Sequence, residues 1–320
     1  MGPGHEFDTI RMLMARWGDL AVDIGDDAAV LPRIEGRQRV ISMDACVEEA
    51  HFRRAWITSY EVGVRSAAAA ISDLAAMGAR ADAVLLAFVV PDSWQTVLGD
   101  LADGIAHVVR ASGARIVGGN LSRGDALSIT TTVVGSATHV VSRRGAMPGD
   151  VLVVTGRLGG PGSALRAWFA NREPADWART RFVDPTPRLA EGEALAAAGA
   201  HAMLDISDGL LADARHLAAA SGVHLIIDAS AVPLGPQIDV PLALSSGEEY
   251  ELLAALPPDV ADRLLLEWPA RFHTPLSIVG SVVASDVRGV VEMVGMPASR
   301  SGDSGTTRVE FAAGHDHFSR

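Results

Sequence analysis

Strand-like apolar runs and helical stretches alternate through both halves of this 320-residue chain, without a strict βαβα repeat. That pattern favours an α+β fold over a doubly wound parallel sheet. In the first half, residues 7–17 place Phe7, Ile10, Met14 and Trp17 at helical spacing, and AAVL and RVISMD read as strands. An Ala-rich helix is expected from about Thr58 to Met77, followed by a buried strand, AVLLAFVVP, stopped by Pro91. Residues 93–113 read as one amphipathic helix with a Ser start and a Gly stop. ARIVGG and the β-branched LSITTTVVGSATHV add two strands. The turn RRGAMPGD (143–150) is the candidate junction, dividing the chain into residues 1–142 and 143–320. Beyond it come a strand VLVVTG, helices near 162–170, 187–198 and 208–220, and a strand VHLIIDAS. A Pro-rich loop then runs to Pro241, before ELLAAL, a helix near 258–267 and LSIVGSVV.

Acidic residues recur where apolar segments begin or end: Asp26 and Asp27 in IGDDAAVL, Asp44 after RVISM, Asp73 in AAAAISDLAAM, and Asp205 and Asp208 in DISDGLLADARHL. A strand points neighbouring side chains to opposite faces and disfavours Asp, so a pair of carboxylates at a strand mouth needs solvent or a cation. A carboxylate among alanines, as at Asp73, is costly to bury without a partner. Ser207 and Asp208 open a helix, where one such residue is usually only a cap; with Asp205 they exceed what capping requires. Hard divalent cations such as Mg²⁺ take oxygen ligands of this kind and sit between carboxylates and substrate phosphates.

Three other segments carry glycines or acids that bear on the same chemistry. GGNLSRG (118–124) permits close backbone approach to a ligand, and equally makes a turn between strands. VTGRLGGPGSAL lacks the GxGxxG spacing of a dinucleotide fingerprint. LSSGEEYELL again sets acidic groups before a strand.

Composition narrows the chemistry further. The net charge of −12 argues against non-specific nucleic-acid binding and suits a cation-binding protein. All 27 basic residues are arginine, so there is no P-loop, Schiff-base or kinase-strand lysine. Phosphate chemistry here must rest on arginine, backbone N–H groups and metal ions. The single cysteine, Cys46, excludes an intramolecular disulfide and a Cys-rich zinc site. No run approaches the ~20 apolar residues of a membrane span, and the N-terminus lacks a signal-peptide pattern, so a cytoplasmic protein without membrane partners is expected.

In order along the chain, IGDDAAVL, SMDACVEEAHF, SDLAAMGARA, GGNLSRG, SRRGAMPGDVLVVTG, DISDGLLADARH, LSSGEEYELL and the terminal GHDHF resemble the thiamine-monophosphate kinases. These belong to the superfamily that includes aminoimidazole-ribonucleotide synthetase and selenophosphate synthetase. The resemblance implies a two-domain α+β fold of the aminoimidazole-ribonucleotide-synthetase type. Its N-terminal domain is a ferredoxin-like sheet that pairs in a homodimer, and its C-terminal domain is an α/β sandwich completing the active site. It further implies transfer of the ATP γ-phosphate onto thiamine monophosphate, with several Mg²⁺ ions and no covalent nucleophile.

By position, Asp26, Ser42, Met43, Asp44, Asp73, Asn120, Asp205 and Asp208 would hold metal, Met43 only through its backbone oxygen. Asp27 would orient backbone or water. Gly119, Asn120, Arg143 and Ser207 would contact ATP, and His51, Glu248 and His315 the acceptor. The sequence departs from the family at four places. The usual GGD is Gly118-Gly119-Asn120, which exchanges a metal carboxylate for a neutral amide; SGGEDYEL becomes SSGEEYEL; VEGVHF becomes VEEAHF; and His315 stands where an aromatic is common. Two alternatives remain open: a superfamily ligase or kinase acting on another small phosphorylated acceptor, and a non-catalytic Mg-nucleotide-binding paralogue.

Overall fold

The computed structural model describes residues 29–34, 36–285, 287 and 289–295. The expected helix at 7–17, together with Asp26, Asp27 and His315, lies outside the described residues. Two mixed sheets organise the chain. The first has the order β1-β2-β5-β3-β4, built from β1 (Ala29–Ile34), β2 (Arg37–Val47), β3 (Arg80–Val90), β4 (Arg115–Arg123) and β5 (Ser128–Ala137). Only β3 and β4 pair in parallel; the other neighbours are antiparallel.

Helix α1 (Ser59–Ala76) crosses this sheet and is started by a capping box in which Thr58 and Glu61 exchange hydrogen bonds, a device that contributes about 1 kcal/mol. Helix α2 (Leu98–Ser112) lies against it at a backbone-to-backbone crossing. A Cβ on Gly63 would meet Leu101 O at 2.0 Å, and one on Gly104 would meet Tyr60 O at 2.0 Å. No side chain fits at either place.

The second sheet has the order β11-β8-β10-β6-β9-β7, from β6 (Val151–Thr155), β7 (Ala202–Asp205), β8 (His224–Asp228), β9 (Leu252–Leu256), β10 (Leu276–Val283) and β11 (Val290–Val294). Its helices are α3 (Gly160–Phe169), α4 (Asp176–Val183), α5 (Leu189–Ala198), α6 (Leu210–Ser221), α7 (Val240–Ser245) and α8 (Pro258–Arg271). Strand alternation sends Leu152, Val154, Leu204, Leu253 and Ala255 to the layer shared with α6. Val153, Met203, Leu252, Ala254 and Leu256 go to the opposite layer, shared with α5 and α8. Ala75 and Ala76 of α1 enter that second layer as well.

The alanine content of α1 now has a cause. The helix is buried on most of its circumference, against its own sheet and α2 on some sides and against α4, α5 and β7 of the second unit on others. Only small side chains allow two units to approach one helix so closely. Gly192 of α5 continues the pattern, since a Cβ there would lie 2.2 Å from Ala75 O.

Several boundaries differ from expectation. Residues 93–113 are not one helix: a 3-10 turn spans Asp92–Val97 and α2 begins at Leu98. Trp94 fixes the turn, buried edge-on against Phe52 with its Nε1–H donated to Glu48 at 2.9 Å. The Gly stop holds, with Gly113 at φ +78°. GGNLSRG is not a turn after a strand; it forms most of β4, an edge strand exposed along its whole length. Gly119 is needed there, because a Cβ would lie 2.0 Å from Leu86 O on β3. The Pro-rich loop ends early, since Asp239 caps Leu242 N–H at 2.9 Å and Pro241 sits in the first turn of α7. Helix α4 was not anticipated. Among the described residues no helix is long and apolar enough to cross a membrane.

Candidate active site

The candidate site lies where α1 touches both sheets. Ser42 and Asp44 are two apart on β2 and so share the face that packs under α1, whereas Met43 points the other way with its side chain 66% exposed. Met43 can therefore offer this side only its backbone, as expected. On α1, Ser72 and Asp73 are consecutive and project about 100° apart. Asp73 turns to the first sheet, where Ser42 Oγ donates to its Oδ2 at 2.5 Å. Ser72 turns to the second, donating to Asp205 Oδ2 at the end of β7, also at 2.5 Å. One helical step thus joins a carboxylate pair contributed by two separate domains.

The segment after β7 is held in place by a residue that the sequence reading did not single out. Asp213 of α6 accepts the backbone N–H groups of Ser207 and Asp208 through one oxygen, at 3.1 and 3.0 Å. Gly209, at φ +110°, makes the turn between that loop and α6. Burial, then the charges of Asp208 and Asp205, push the Asp213 carboxyl well above the usual carboxylate range; the Asp208 N–H and Arg143 pull it back. His216, one turn along α6, is driven down to about 4 by burial and by the positive charge of Arg143, so its imidazole is neutral at pH 7. The ligand atoms of Asp208, Asp213 and His216 lie within 4.8 Å of one another. Arg143 comes from the interdomain segment, where Ser221 Oγ donates to its carbonyl at 3.1 Å and accepts the N–H groups of Gly145 and Ala146.

A second loop closes against the first. Glu248 N–H donates to Ser207 O at 2.6 Å and Tyr250 N–H to Ile206 O at 2.9 Å. Glu248 and Tyr250 both adopt positive φ, +58° and +53°, a conformation that costs a non-glycine residue about 1 kcal/mol or more. Across the domain boundary, Arg65 of α1 ion-pairs with Glu248 Oε1 at 2.7 Å. His51 follows β2 and accepts the Val47 N–H at Nδ1 (3.1 Å), which leaves Nε2 to carry the proton of the neutral ring. Cys46 is buried, and burial pushes its thiol up to about 12, so it does not serve as a nucleophile.

The fold therefore brings together Ser42, Asp44, Asp73, Asp205, Ser207 and Asp208, with Arg143 and Glu248 attached through the neighbouring loops. It sets Gly119 and Asn120 apart. They lie on β4, with β5 and β3 between them and β2, a lateral separation of roughly 14 Å at ordinary strand spacing. Ser72, Asp213, His216 and Arg65 were missed. A signal existed for two of them: Arg65 is the one basic residue in an otherwise alanine-rich helix, and Asp213 sits on the turn of α6 nearest Asp208.

As a set, these groups suit divalent cations. The donors are carboxylate and hydroxyl oxygens, the hard ligands that Mg²⁺ selects. Burial first, and then the neighbouring Asp208 and Asp205 charges, raise the Asp213 carboxyl, and a cation bound there would offset the second of these causes.

Known proteins resemble this chain in both domains. The family model described as AIR synthase related protein, N-terminal domain, matches residues 25–137, and that described as AIR synthase related protein, C-terminal domain, matches residues 147–292. The thiamine-monophosphate kinase of Mycobacterium tuberculosis (strain H37Rv) is 38% identical over 246 residues, 72% of this chain and 73% of that protein. The chain belongs to the thiamine-monophosphate kinase family. Two solved structures of that family superpose over nearly the full length. The enzyme from Stenotrophomonas maltophilia K279a is 31% identical with a TM-score of 0.75, covering 93% of this chain and 98% of that one. The structure described as "AaThiL complexed with AMPPCP and TMP" is 25% identical with a TM-score of 0.82, covering 97% and 96%. Solved thiamine-monophosphate kinases thus share the two-domain fold over more than nine-tenths of this chain.

Proposed function

We propose that the chain phosphorylates thiamine monophosphate to thiamine diphosphate, with ATP as donor, by direct Mg²⁺-dependent in-line transfer. The observation that carries this reading is the joint at Ser72-Asp73, which gathers carboxylates of both domains around one position in a member of this kinase family. Ser42, Asp44, Asp73, Asp205 and Asp208 are the proposed Mg²⁺ ligands at that joint; Asp26 and the Met43 carbonyl complete the assignment, and Asn120, three strands from β2 on β4, is assigned to a separate ion. Bound there, Mg²⁺ neutralises phosphate charge and polarises the oxygens of the donor.

The chain's own residues then have defined tasks. Arg143 and the Ser207 hydroxyl bind the donor phosphates, with Gly119 and Asn120 lining the nucleotide. His51 Nε2–H, Glu248 and His315 bind the acceptor. A phosphate oxygen of thiamine monophosphate attacks the γ-phosphorus, the bond to the β–γ bridging oxygen breaks, and ADP leaves. That oxygen is already ionised near neutral pH, so no strong general base is required, and catalysis is positioning and charge neutralisation.

The division at residues 1–142 and 143–320 belongs to the same proposal, as does a homodimer formed by the open face of the first sheet. Met43 and Leu85, both paired with Thr132 and so on one face, lie exposed there, and Ile116, Val117 and Leu121 are exposed along the edge strand β4, apolar surface of the kind a second copy would cover. We place the reaction in the cytoplasm, with no nucleic-acid or membrane partner.

An acceptor panel tests the assignment. With Mg-ATP, thiamine monophosphate should yield thiamine diphosphate, while a ribonucleotide amidine should leave ATP unconsumed. Turnover of the amidine alone would move the chain to the ligase reading. Mg-ATP binding without transfer to either acceptor would make it a non-catalytic paralogue.

A further inference from the structure

Arg65 occupies a position that the phosphate chemistry does not use. It is 3% exposed, in the middle of α1, and its side chain leaves its own domain. One terminal nitrogen donates to the Phe182 carbonyl at the end of α4, and the other to Glu248 Oε1 at 2.7 Å. The guanidinium carbon stands 3.6 Å over the centre of the Phe182 ring, whose side chain is fully buried. A planar cation held by a carbonyl, a ring face and a carboxylate has its orientation fixed in all three directions.

Its partner is held just as firmly at the backbone. Glu248 carries a positive φ and is tied through its N–H to the Ser207 carbonyl. Arg65 therefore removes the remaining freedom of Glu248, that of the side chain. The other buried arginines behave differently. Arg181 and Arg188 converge on Glu251, whose side chain is 1% exposed, so that cluster closes on itself. The Glu248 side chain keeps 24% exposure after pairing, which leaves carboxylate surface for a ligand.

From this we infer that Arg65 is a positioning residue for acceptor recognition: it presents the Glu248 carboxylate at a fixed distance from the metal-binding acids. Both ends of that distance are set by one rigid element. Arg65 and Asp73 are eight residues apart on α1, about 12 Å along the axis at 1.5 Å per residue. The acceptor class implied is an extended molecule with a phosphate at one end and a hydrogen-bond-donating or cationic heterocycle at the other. The inference rests on the proposed kinase function and adds a residue to it.

Steady-state kinetics on the full chain tests it, varying each substrate in turn for wild type, Arg65→Met, Arg65→Lys, Glu248→Gln and the Arg65→Met/Glu248→Gln double variant. Arg65→Met should raise the KM for thiamine monophosphate by at least about tenfold and leave the KM for ATP within about twofold. Arg65→Lys, which keeps the charge without the fork, should recover part of the loss. The double variant should be no worse than Glu248→Gln alone, because the two residues act as one unit. Equal rises in both KM values, or multiplying losses in the double variant, would overturn the inference. Should Arg65→Met fail to fold by circular dichroism, Arg65→Lys decides: a KM for thiamine monophosphate equal to wild type contradicts the role, and a selective rise supports it. A wild-type chain without turnover on thiamine monophosphate would overturn the kinase reading, and this inference with it.

Discussion

The two halves of the site hold their carboxylates in different ways. On the first domain, Ser42, Asp44 and Asp73 sit on regular elements, half-buried, with a hydroxyl donating to Asp73. On the second, Asp205 and Asp213 are almost fully buried, one bonded to Ser72 and the other to two loop N–H groups. The first set keeps partial contact with solvent. The second has already given up solvation for fixed protein donors, and the raised Asp213 carboxyl reflects the strain of that choice. A half-buried set on regular elements thus stands against a buried cradle, and each half is expected to fail in its own way when altered.

The largest effect is expected in the half-buried set. Asp73→Asn or Asp44→Asn should lower kcat/KM by about a thousandfold, with circular dichroism unchanged, because a half-buried carboxylate on a regular element contributes charge more than structure. Near-normal turnover at moderate Mg²⁺ in either variant would break the assignment. In the cradle, Asp213→Asn should cost about 10–100-fold in kcat/KM through misorientation of Ser207 and Asp208. Its melting temperature should stay level or rise, since Asn keeps one oxygen for the two N–H groups and removes a carboxyl whose ionisation burial opposes. A large loss of stability with activity retained would show the cradle to be structural only.

Legibility in the sequence follows the same division. The acids at segment ends were readable because Asp at the mouth of an apolar run contradicts strand propensity, and that contradiction survives without any coordinates. Which neighbour performs which task was not readable: Ser72 and Asp73 differ by one helical step, and only the packing of α1 between two sheets assigns one to each domain. Arg65 was not singled out because helical periodicity presumes one buried face, while α1 is buried on most of its circumference. The break at 92–97 was hidden for a related reason, since Trp94 is fixed by Phe52 and Glu48, both more than forty residues before it in the chain. Short helices such as α4 and α7 rest on tertiary contacts and a cap rather than on a long periodic pattern.

Two smaller effects sharpen the comparison. Glu249 lies behind the cradle, fully buried with its Oε1 accepting the Gly159 N–H, and burial pushes its carboxyl up to about 8. The folded protein therefore holds this proton over a range in which the unfolded chain releases it. Its contribution to stability is present at low pH and is lost as pH rises from about 4.5 towards about 8. Glu249→Gln should remove that downward slope from a plot of melting temperature against pH. An identical slope in both proteins would contradict the assignment.

The smallest effect belongs to the first domain. Glu49 adopts φ +66°, a conformation that favours glycine, and its ion pair with Arg53 is exposed. Glu49→Gly should stabilise the protein by roughly 1 kcal/mol, read from a denaturant midpoint, because relief of left-handed strain outweighs an exposed ion pair. A loss of stability would show that the loop before His51 depends on that side chain.

The central claim is that both domains' acids serve one transfer between two phosphates. Its most direct measurement is chromatographic quantification of ADP and thiamine diphosphate after incubation with ATP and thiamine monophosphate, with Mg²⁺ and with the metal chelated. The account predicts equal amounts of the two products with Mg²⁺ and neither without it. ADP formed without thiamine diphosphate, or transfer that persists after chelation, would contradict it.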